Sequence, residues 1–277
     1  MGVMRPCGYR QEAVERLLYL DAVCSPGDRM EWAYATRAGA KRAQDQTVNE
    51  DAMWVSEDGA VCVVADGGSW RGQRSRVASA AAIRLAQERY TTRPDPAFIP
   101  DVIQQLNVEL LQHVAAGEPV GTTTISIVQR CRDGRTFCAA VGDSPIYQIR
   151  NGGVLEQVRP RRRYDSTVAN GRLTQAEADA FYAAAPWWVK TRLDLHLPFA
   201  MTPLPLAVVE LTLRPGDILV LCTDGVSEPF QQFSGIPRDE IAHVASQRSP
   251  TAAVAWLLQT ARARGSEDDL SCAVGRV

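Results

Sequence analysis

The chain is poor in lysine. Of its 30 basic residues only Lys41 and Lys190 are lysine, and the 32 acidic residues leave a net charge of −2. Such a balance lacks the positive footprint with which proteins hold nucleic acid or an anionic membrane surface. No apolar run approaches the roughly 20 residues of a membrane-spanning helix. The first residues lack the basic-then-apolar order of a secretory signal. Cysteine occurs seven times, an odd number, and never as Cys-x-x-Cys, so nothing suggests a zinc knuckle or a redox pair. Cys62, Cys138, Cys222 and Cys272 lie in apolar runs, where a free thiol behaves as a small hydrophobe. These features fit a reducing cytoplasm. A Gly-x4-Gly-Lys-Ser/Thr phosphate loop is missing, which speaks against a kinase or NTPase. Cys24 and Arg29 enclose four residues, one short of a Cys-x5-Arg nucleophile loop. His113, His196 and His243 are isolated in the sequence and are expected to be structural.

What is present is a recurring pattern. Val61–Gly68 reads Val-Cys-Val-Val-Ala-Asp-Gly-Gly, a buried strand tipped by a carboxylate and closed by glycines. Asp-Gly alone is first a turn signal. The pattern returns in Phe137–Ser144, with Asp143 after the apolar run, and in Ile218–Gly225, with Asp224 in that place. Glu50-Asp51 and Asp268-Asp269 stand just before further strand-like runs. A carboxylate fixed at the tip of a buried strand is costly unless paired. If the tips converge, the charges repel unless a cation lies among them. Oxygen-only donors suit magnesium or manganese rather than zinc or copper. Two such ions about 4 Å apart can activate water and clamp a phosphoryl group.

The rest of the 277-residue chain, 45% hydrophobic, suits one large domain or two small ones with a full core. The spacing predicts an amphipathic helix over Gln11–Val23 and a first strand over Glu31–Thr36. Helices follow over Ser75–Tyr90, with Val77, Ala81, Ile83 and Leu85 at helical spacing, and over Ala97–Ala116. The second buries Ile99, Val102, Ile103, Leu106, Leu110 and Leu111. Thr122–Val128, Arg135–Val141, Ile146–Arg150, Val208–Leu213 and Asp217–Cys222 read as strands. Asn151-Gly152-Gly153 is a hairpin turn. Residues 159–201 are an excursion with a basic cluster (Arg159–Arg163), a helix near Thr174–Ala185 and the Trp187-Trp188 patch. Two helices, Arg238–Gln247 and Pro250–Arg264, precede the final strand.

Six motifs in order resemble those of the metal-dependent PP2C-type (PPM) Ser/Thr protein phosphatases, bacterial-like. They are Asn49-Glu50-Asp51, Ala65-Asp66-Gly67-Gly68, Gly121-Thr122-Thr123, Val141-Gly142-Asp143-Ser144, Cys222-Thr223-Asp224-Gly225 and Asp268-Asp269-Leu270-Ser271. Asp165-Ser166 through Glu177 is similar to that family's flap. The resemblance implies an α+β fold, an α-β-β-α sandwich of two antiparallel sheets flanked by helices, over residues 31–277. Residues 1–30 would be an N-terminal extension and about 159–201 the flap. It implies that Asp66 bridges two Mn²⁺ or Mg²⁺ ions, that the Gly67 carbonyl ligates the second, and that Asp224 and Asp268 hold the first. Glu50 and Asp51 would orient metal-bound waters, Asp51 and Asp66 serving catalysis, and Asp143 would hold a possible third ion. A metal-bridging hydroxide would attack phosphorus directly. The implied substrates are phosphoserine and phosphothreonine proteins, with a cognate Ser/Thr kinase or its targets as partners.

The chain departs from the family pattern, most plainly near the implied site. The arginine expected just before Asn49-Glu50-Asp51 to grip phosphate is replaced by Gln44-Asp45-Gln46-Thr47-Val48. Arg42 is the nearest candidate for that fork-like contact, with Arg71, Arg74 and Arg76 as alternates. The Asp-Gly-Met-Gly-Gly turn is shortened to Asp66-Gly67-Gly68-Ser69-Trp70. Asp268-Asp269 stands where the family has Asp-Asn, adding a charge close to the implied metals. Two other readings stay open: a weak or inactive family member that binds phosphoproteins or partners, and another two-metal phosphohydrolase.

Overall fold

The computed structural model describes residues 18–19, 30–39, 48–68, 76–90, 95–158, 168, 171–185, 196–198, 206–227 and 235–277. The strands are β1 (Leu18–Tyr19), β2 (Glu31–Arg37), β3 (Ala52–Val55), β4 (Val61–Ala65), β5 (Gly67–Gly68), β6 (Thr122–Thr123) and β7 (Ile125–Arg130). They continue as β8 (Thr136–Val141), β9 (Ile146–Arg150), β10 (Gly153–Val158), β11 (Val209–Leu211), β12 (Ile218–Cys222) and β13 (Leu270–Arg276). The helices are α1 (Arg76–Arg89), α2 (Phe98–Ala115), α3 (Gln175–Ala184), the single turn α4 (Asp224–Ser227), α5 (Arg238–Gln247) and α6 (Pro250–Ala263).

Two antiparallel sheets carry the molecule. One is ordered β1-β2-β13-β12-β9-β10, the other β11-β8-β7-β4-β3, and β5 pairs with β6 beside them. The strands alternate between two apolar surroundings, which is why they read as unbroken hydrophobic runs. In β4, Val61, Val63 and Ala65 face α1 and α2, while Cys62 and Val64 face the other sheet. In β12, Ile218, Val220 and Cys222 face α5 and α6, while Leu219 and Leu221 face inward. The order is therefore helices, sheet, sheet, helices, with a core in each of the three spaces.

Local chemistry sets the element ends. Ser249 accepts a hydrogen bond from the Ala252 amide at 3.3 Å and Pro250 opens the first turn of α6, a cap that satisfies an otherwise orphan donor. Thr174 and Glu177 exchange the reciprocal bonds of a capping box ahead of α3, 2.8 Å from the Thr174 amide and 3.2 Å from the Glu177 amide. Asn151 and Gly152 take φ of 52° and 80°, and Arg150 pairs with Gly153. That is the two-residue turn favoured in a twisted hairpin.

Some expectations need correction. Within the segment read as a helix, Leu18–Tyr19 is a strand paired with Tyr34 and Ala33; the remainder of Gln11–Val23 lies outside the described residues. Helical spacing there serves an edge strand as well, because two residues suffice to extend the sheet. The predicted strand Thr122–Val128 is broken at Thr124 into β6 and β7. Leu111 and Val77 are exposed; α1 buries Ala81 and Leu85 together with Ala78, Ser79, Ala82 and Ala86, since small side chains allow it to lie close against the sheet. Arg42, Arg71, Arg74, Arg159–Arg163 and Trp187-Trp188 lie outside the described residues.

Candidate metal centre

The topology delivers the acids to one rim. Asp66 follows β4, Asp143 follows β8 by one glycine, and both strands run the same way because each is antiparallel to β7. Glu50 and Asp51 precede β3, whose first residue pairs with the last of β4 through Ala52 and Ala65. In the other sheet Cys222 pairs with Cys272, so the end of β12 and the start of β13 lie together. Asp224 and Asp268 are therefore neighbours. Asp224 opens the helical turn α4 rather than closing a strand.

Asp66, Asp143 and Asp224 each offer a carboxylate oxygen, and the three atoms lie within 4.8 Å of one another. The group draws on both sheets. Burial raises the pKa of Asp66 well above the carboxylate range, and the charges of Asp224, Asp51, Asp268 and Asp143 raise it further. Asp224 is raised by burial and then by Asp143 and Asp268. Asp51 is raised by burial and by Asp269 and Asp268, against hydrogen bonds from Ser271 and Thr223 that favour its charged form. Such carboxylates ionise together only with a cation among them, and an all-oxygen donor set fits a hard divalent ion.

The backbone is shaped to allow this approach. A Cβ on Gly67 would meet the Glu50 carbonyl oxygen at 2.5 Å. Gly142 has φ of +97° and a Cβ there would strike the Thr124 side chain at 2.5 Å, so the residue that aims Asp143 must be glycine. The Asp66 turn is held by Thr124, whose Oγ1 accepts from the Asp66 amide at 3.0 Å. The Asp66 carbonyl in turn accepts from the Thr124 amide at 2.9 Å and from Thr123 Oγ1 at 3.0 Å.

Glu50 and Asp51 are buried. Asp51 Oδ2 accepts from Thr223 Oγ1 at 3.1 Å, and the Glu50 carbonyl accepts from Ser79 Oγ. Asp268 turns Oδ1 onto the Asp269 amide at 2.9 Å, and its carbonyl accepts from Arg262 Nη2 at 3.2 Å. Asp268 acts on Asp66, Asp224 and Asp51 through its charge. The predicted phosphate grip, Arg42, is outside the described residues.

Two features escaped the sequence. Asp269, read there only as an added charge, accepts the Gly39 amide on Oδ1 at 2.6 Å and the Glu50 amide on Oδ2 at 2.8 Å. It therefore ties the lead-in of β13 to the exit of β2 and the entrance of β3. Its neighbour in the motif drew attention to it, but nothing local showed which amides it would meet. His196 is buried at 6% exposure, with Nε2 at 3.1 Å from Asp143 Oδ1; no sequence signal links the two.

The family model for protein phosphatase 2C matches residues 38–268, and the chain belongs to that family. No curated protein matches the sequence. Among solved structures, the PPM Ser-Thr phosphatase MsPP of Mycobacterium smegmatis, in complex with cacodylate, is 26% identical. The match covers 89% of this chain and 98% of that one, with a TM-score of 0.67. The Mycobacterium tuberculosis serine/threonine phosphatase PstP/Ppp is 20% identical over 90% of this chain and 98% of its own, with a TM-score of 0.69. The catalytic domain of PstP, in complex with two manganese ions, is 21% identical over 89% and 97%, with a TM-score of 0.66. The two flanked antiparallel sheets described above are the fold of these phosphatases. Among the described residues no helix is long and apolar enough to cross a membrane.

Proposed function

We propose that the protein is a Mn²⁺- or Mg²⁺-dependent phosphatase acting on phosphoserine and phosphothreonine in proteins. The observation that carries this reading is the meeting of Asp66, Asp143 and Asp224 within 4.8 Å at the rim of a protein phosphatase 2C fold. The manganese held by the PstP catalytic domain supports the choice of ion. Residues 31–277 form the phosphatase domain, residues 1–30 an extension, and about 159–201 the flap. Asp66 with the Gly67 carbonyl, Asp224 and Asp268 would hold two ions, and Asp143 a third. When bound, divalent ions lower the pKa of water and offset charge on phosphoryl oxygens.

The chain's own residues do the rest. Glu50 and Asp51 accept hydrogen bonds from water and fix its position, Asp51 itself being held by Thr223. Asp269 holds the Glu50 backbone still from behind. Arg42 would grip the substrate phosphate. The missing arginine just before Asn49-Glu50-Asp51 favours, as a second reading, a partner-binding member with weak or no turnover. A substrate protein phosphorylated by a cognate Ser/Thr kinase is the partner under either reading.

The test is hydrolysis of p-nitrophenyl phosphate and of a phosphothreonine peptide in manganese. We expect turnover that falls at least about 100-fold in Asp66→Asn, the loss of a ligand that stabilises transition-state charge. Equal rates in EDTA and in manganese would rule the reading out. Manganese binding without turnover would select the partner-binding alternative. A raised KM in Arg42→Ala would place that residue on the phosphate.

A further inference from the structure

Arg262 stands in the last turn of α6. The helix stops just beyond it, where Gly265 takes φ of +94°. The Gly265 amide donates to the Arg262 carbonyl at 3.1 Å and the Ser266 amide to the Ala261 carbonyl at 3.0 Å, a glycine stop that turns the chain at once into the lead-in of β13. The guanidinium then reaches across that lead-in. Nη2 donates to the Ala38 carbonyl at 2.9 Å and to the Asp268 carbonyl at 3.2 Å, and Nη1 donates to the Ser266 carbonyl. Ser266 is buried, and its Oγ donates to the Gly225 carbonyl at 2.8 Å. Gly225 follows Asp224, and the two turns touch: a Cβ on Gly225 would meet the Asp269 carbonyl oxygen at 2.2 Å and Asp268 Cβ at 3.3 Å. One side chain thus grips the residue that carries one acid of the rim and, through Ser266, the turn that carries another.

We propose that Arg262 is a positioning residue for Asp268 and Asp224: by holding the Ser266 and Asp268 carbonyls it fixes the separation of the two carboxylates, and so sets the affinity of the divalent ion they share. The inference rests on the metal reading above and adds to it a residue that touches neither ion nor substrate. Three carbonyls converge on one planar group whose donors form a rigid fork, so the lead-in cannot shift without breaking at least one of these bonds. Coulomb's law alone makes the opposite demand. Arg262 is near enough to Asp268 and Asp269 for their charges to act on it, and a fixed positive charge beside a cation site repels the cation. Removing the guanidinium would tighten ion binding if its charge were all that mattered. It loosens binding if the grip on the lead-in is what counts, so the sign of the effect separates the two.

The experiment is a calorimetric Mn²⁺ titration of the full chain, compared with Arg262→Met, Arg262→Leu, Ser266→Ala, Asp268→Asn and Arg150→Met, with unfolding in EDTA followed alongside. Arg150→Met breaks the pair in which Arg150 Nη2 lies 2.6 Å from Asp217 Oδ2, at the opposite end of β12, and reports what lost stability alone does to binding. We expect both Arg262 variants to weaken by about tenfold or more the event that Asp268→Asn removes, Ser266→Ala to weaken it by about threefold or more, and Arg150→Met to leave it within about twofold. Tighter or unchanged binding in the Arg262 variants, a weakening matched by Arg150→Met, or weakening of an event that Asp268→Asn leaves intact would each overturn the proposal. Unchanged affinity in Ser266→Ala would do the same, whether or not the Arg262 variants fold. If the unaltered chain binds no Mn²⁺, the metal reading falls with it. If the unaltered chain binds and the Arg262 variants bind equally well, only the role of Arg262 falls.

Discussion

A carboxylate surrounded by carboxylates is a liability to the folded chain until a cation arrives. Burial and the neighbouring charges raise the pKa of Asp66, Asp224 and Asp51 above their values in an unfolded chain. Between those two values the folded state holds more protons than the unfolded one. The stabilising contribution of these groups is therefore complete below pH about 3.9, the ordinary aspartate pKa, and is lost as pH rises through the folded values. With EDTA present, Asp66→Asn and Asp224→Asn should melt at a higher temperature than the unaltered chain at pH 7, and the gap should close as the pH is lowered toward 4. Thermal unfolding across that range checks this; variants that melt lower at pH 7 would contradict it. The residues themselves were legible in the sequence, because an acid directly after an unbroken apolar run is unusual and recurs. Their partners were not: that Asp143 faces His196, or that Thr223 bonds Asp51, depends on contacts between segments far apart in the chain.

At the level of elements, the loop before β13 works as a clasp. Asp269 uses one oxygen on Gly39 and the other on Glu50, and Arg262 closes the loop from the other side by donating to the carbonyls of Ala38, Ser266 and Asp268. Asp269→Ala should destabilise the protein by about 3 kcal/mol, since two buried amides lose their acceptor. Asp269→Asn, with a single acceptor oxygen, should lose about half as much. Denaturant unfolding of the two variants measures the difference, and equal stability of both would show that the clasp is not set by acceptor count. The strands and most helices could be read beforehand, since apolar runs, capping residues and the Asn151-Gly152 turn are local signals. Leu18–Tyr19 could not, because its spacing fits a helix and only the neighbouring β2 edge makes it a strand.

For the whole molecule, the three converging acids come from both sheets and meet at a single rim. Anything that binds the folded state alone stabilises it by mass action, about 2.7 kcal/mol per site at 100 times Kd. In a chain of this size each kcal/mol moves Tm by roughly 2–4 °C. Saturating Mn²⁺ should therefore raise Tm by about 5–10 °C per site, with most of the rise gone in Asp224→Asn; differential scanning calorimetry reads it directly. The sandwich as a whole was inferable because six short motifs occur in family order. What they could not convey is how Leu197 joins the body, since its bridge to Thr123 is set by folded geometry alone.

Every one of the clustered acids stands just outside its strand, in a turn or a lead-in, while the buried positions of the strands are mostly apolar and carry no acid. The scaffold and the chemistry are therefore written in separate letters. A lineage can exchange a rim carboxylate or shorten a glycine turn without disturbing the sheets beneath. Divergence to about a quarter identity with the fold intact is what such a division of labour permits, and new metal preferences should arise at the rim long before the architecture drifts.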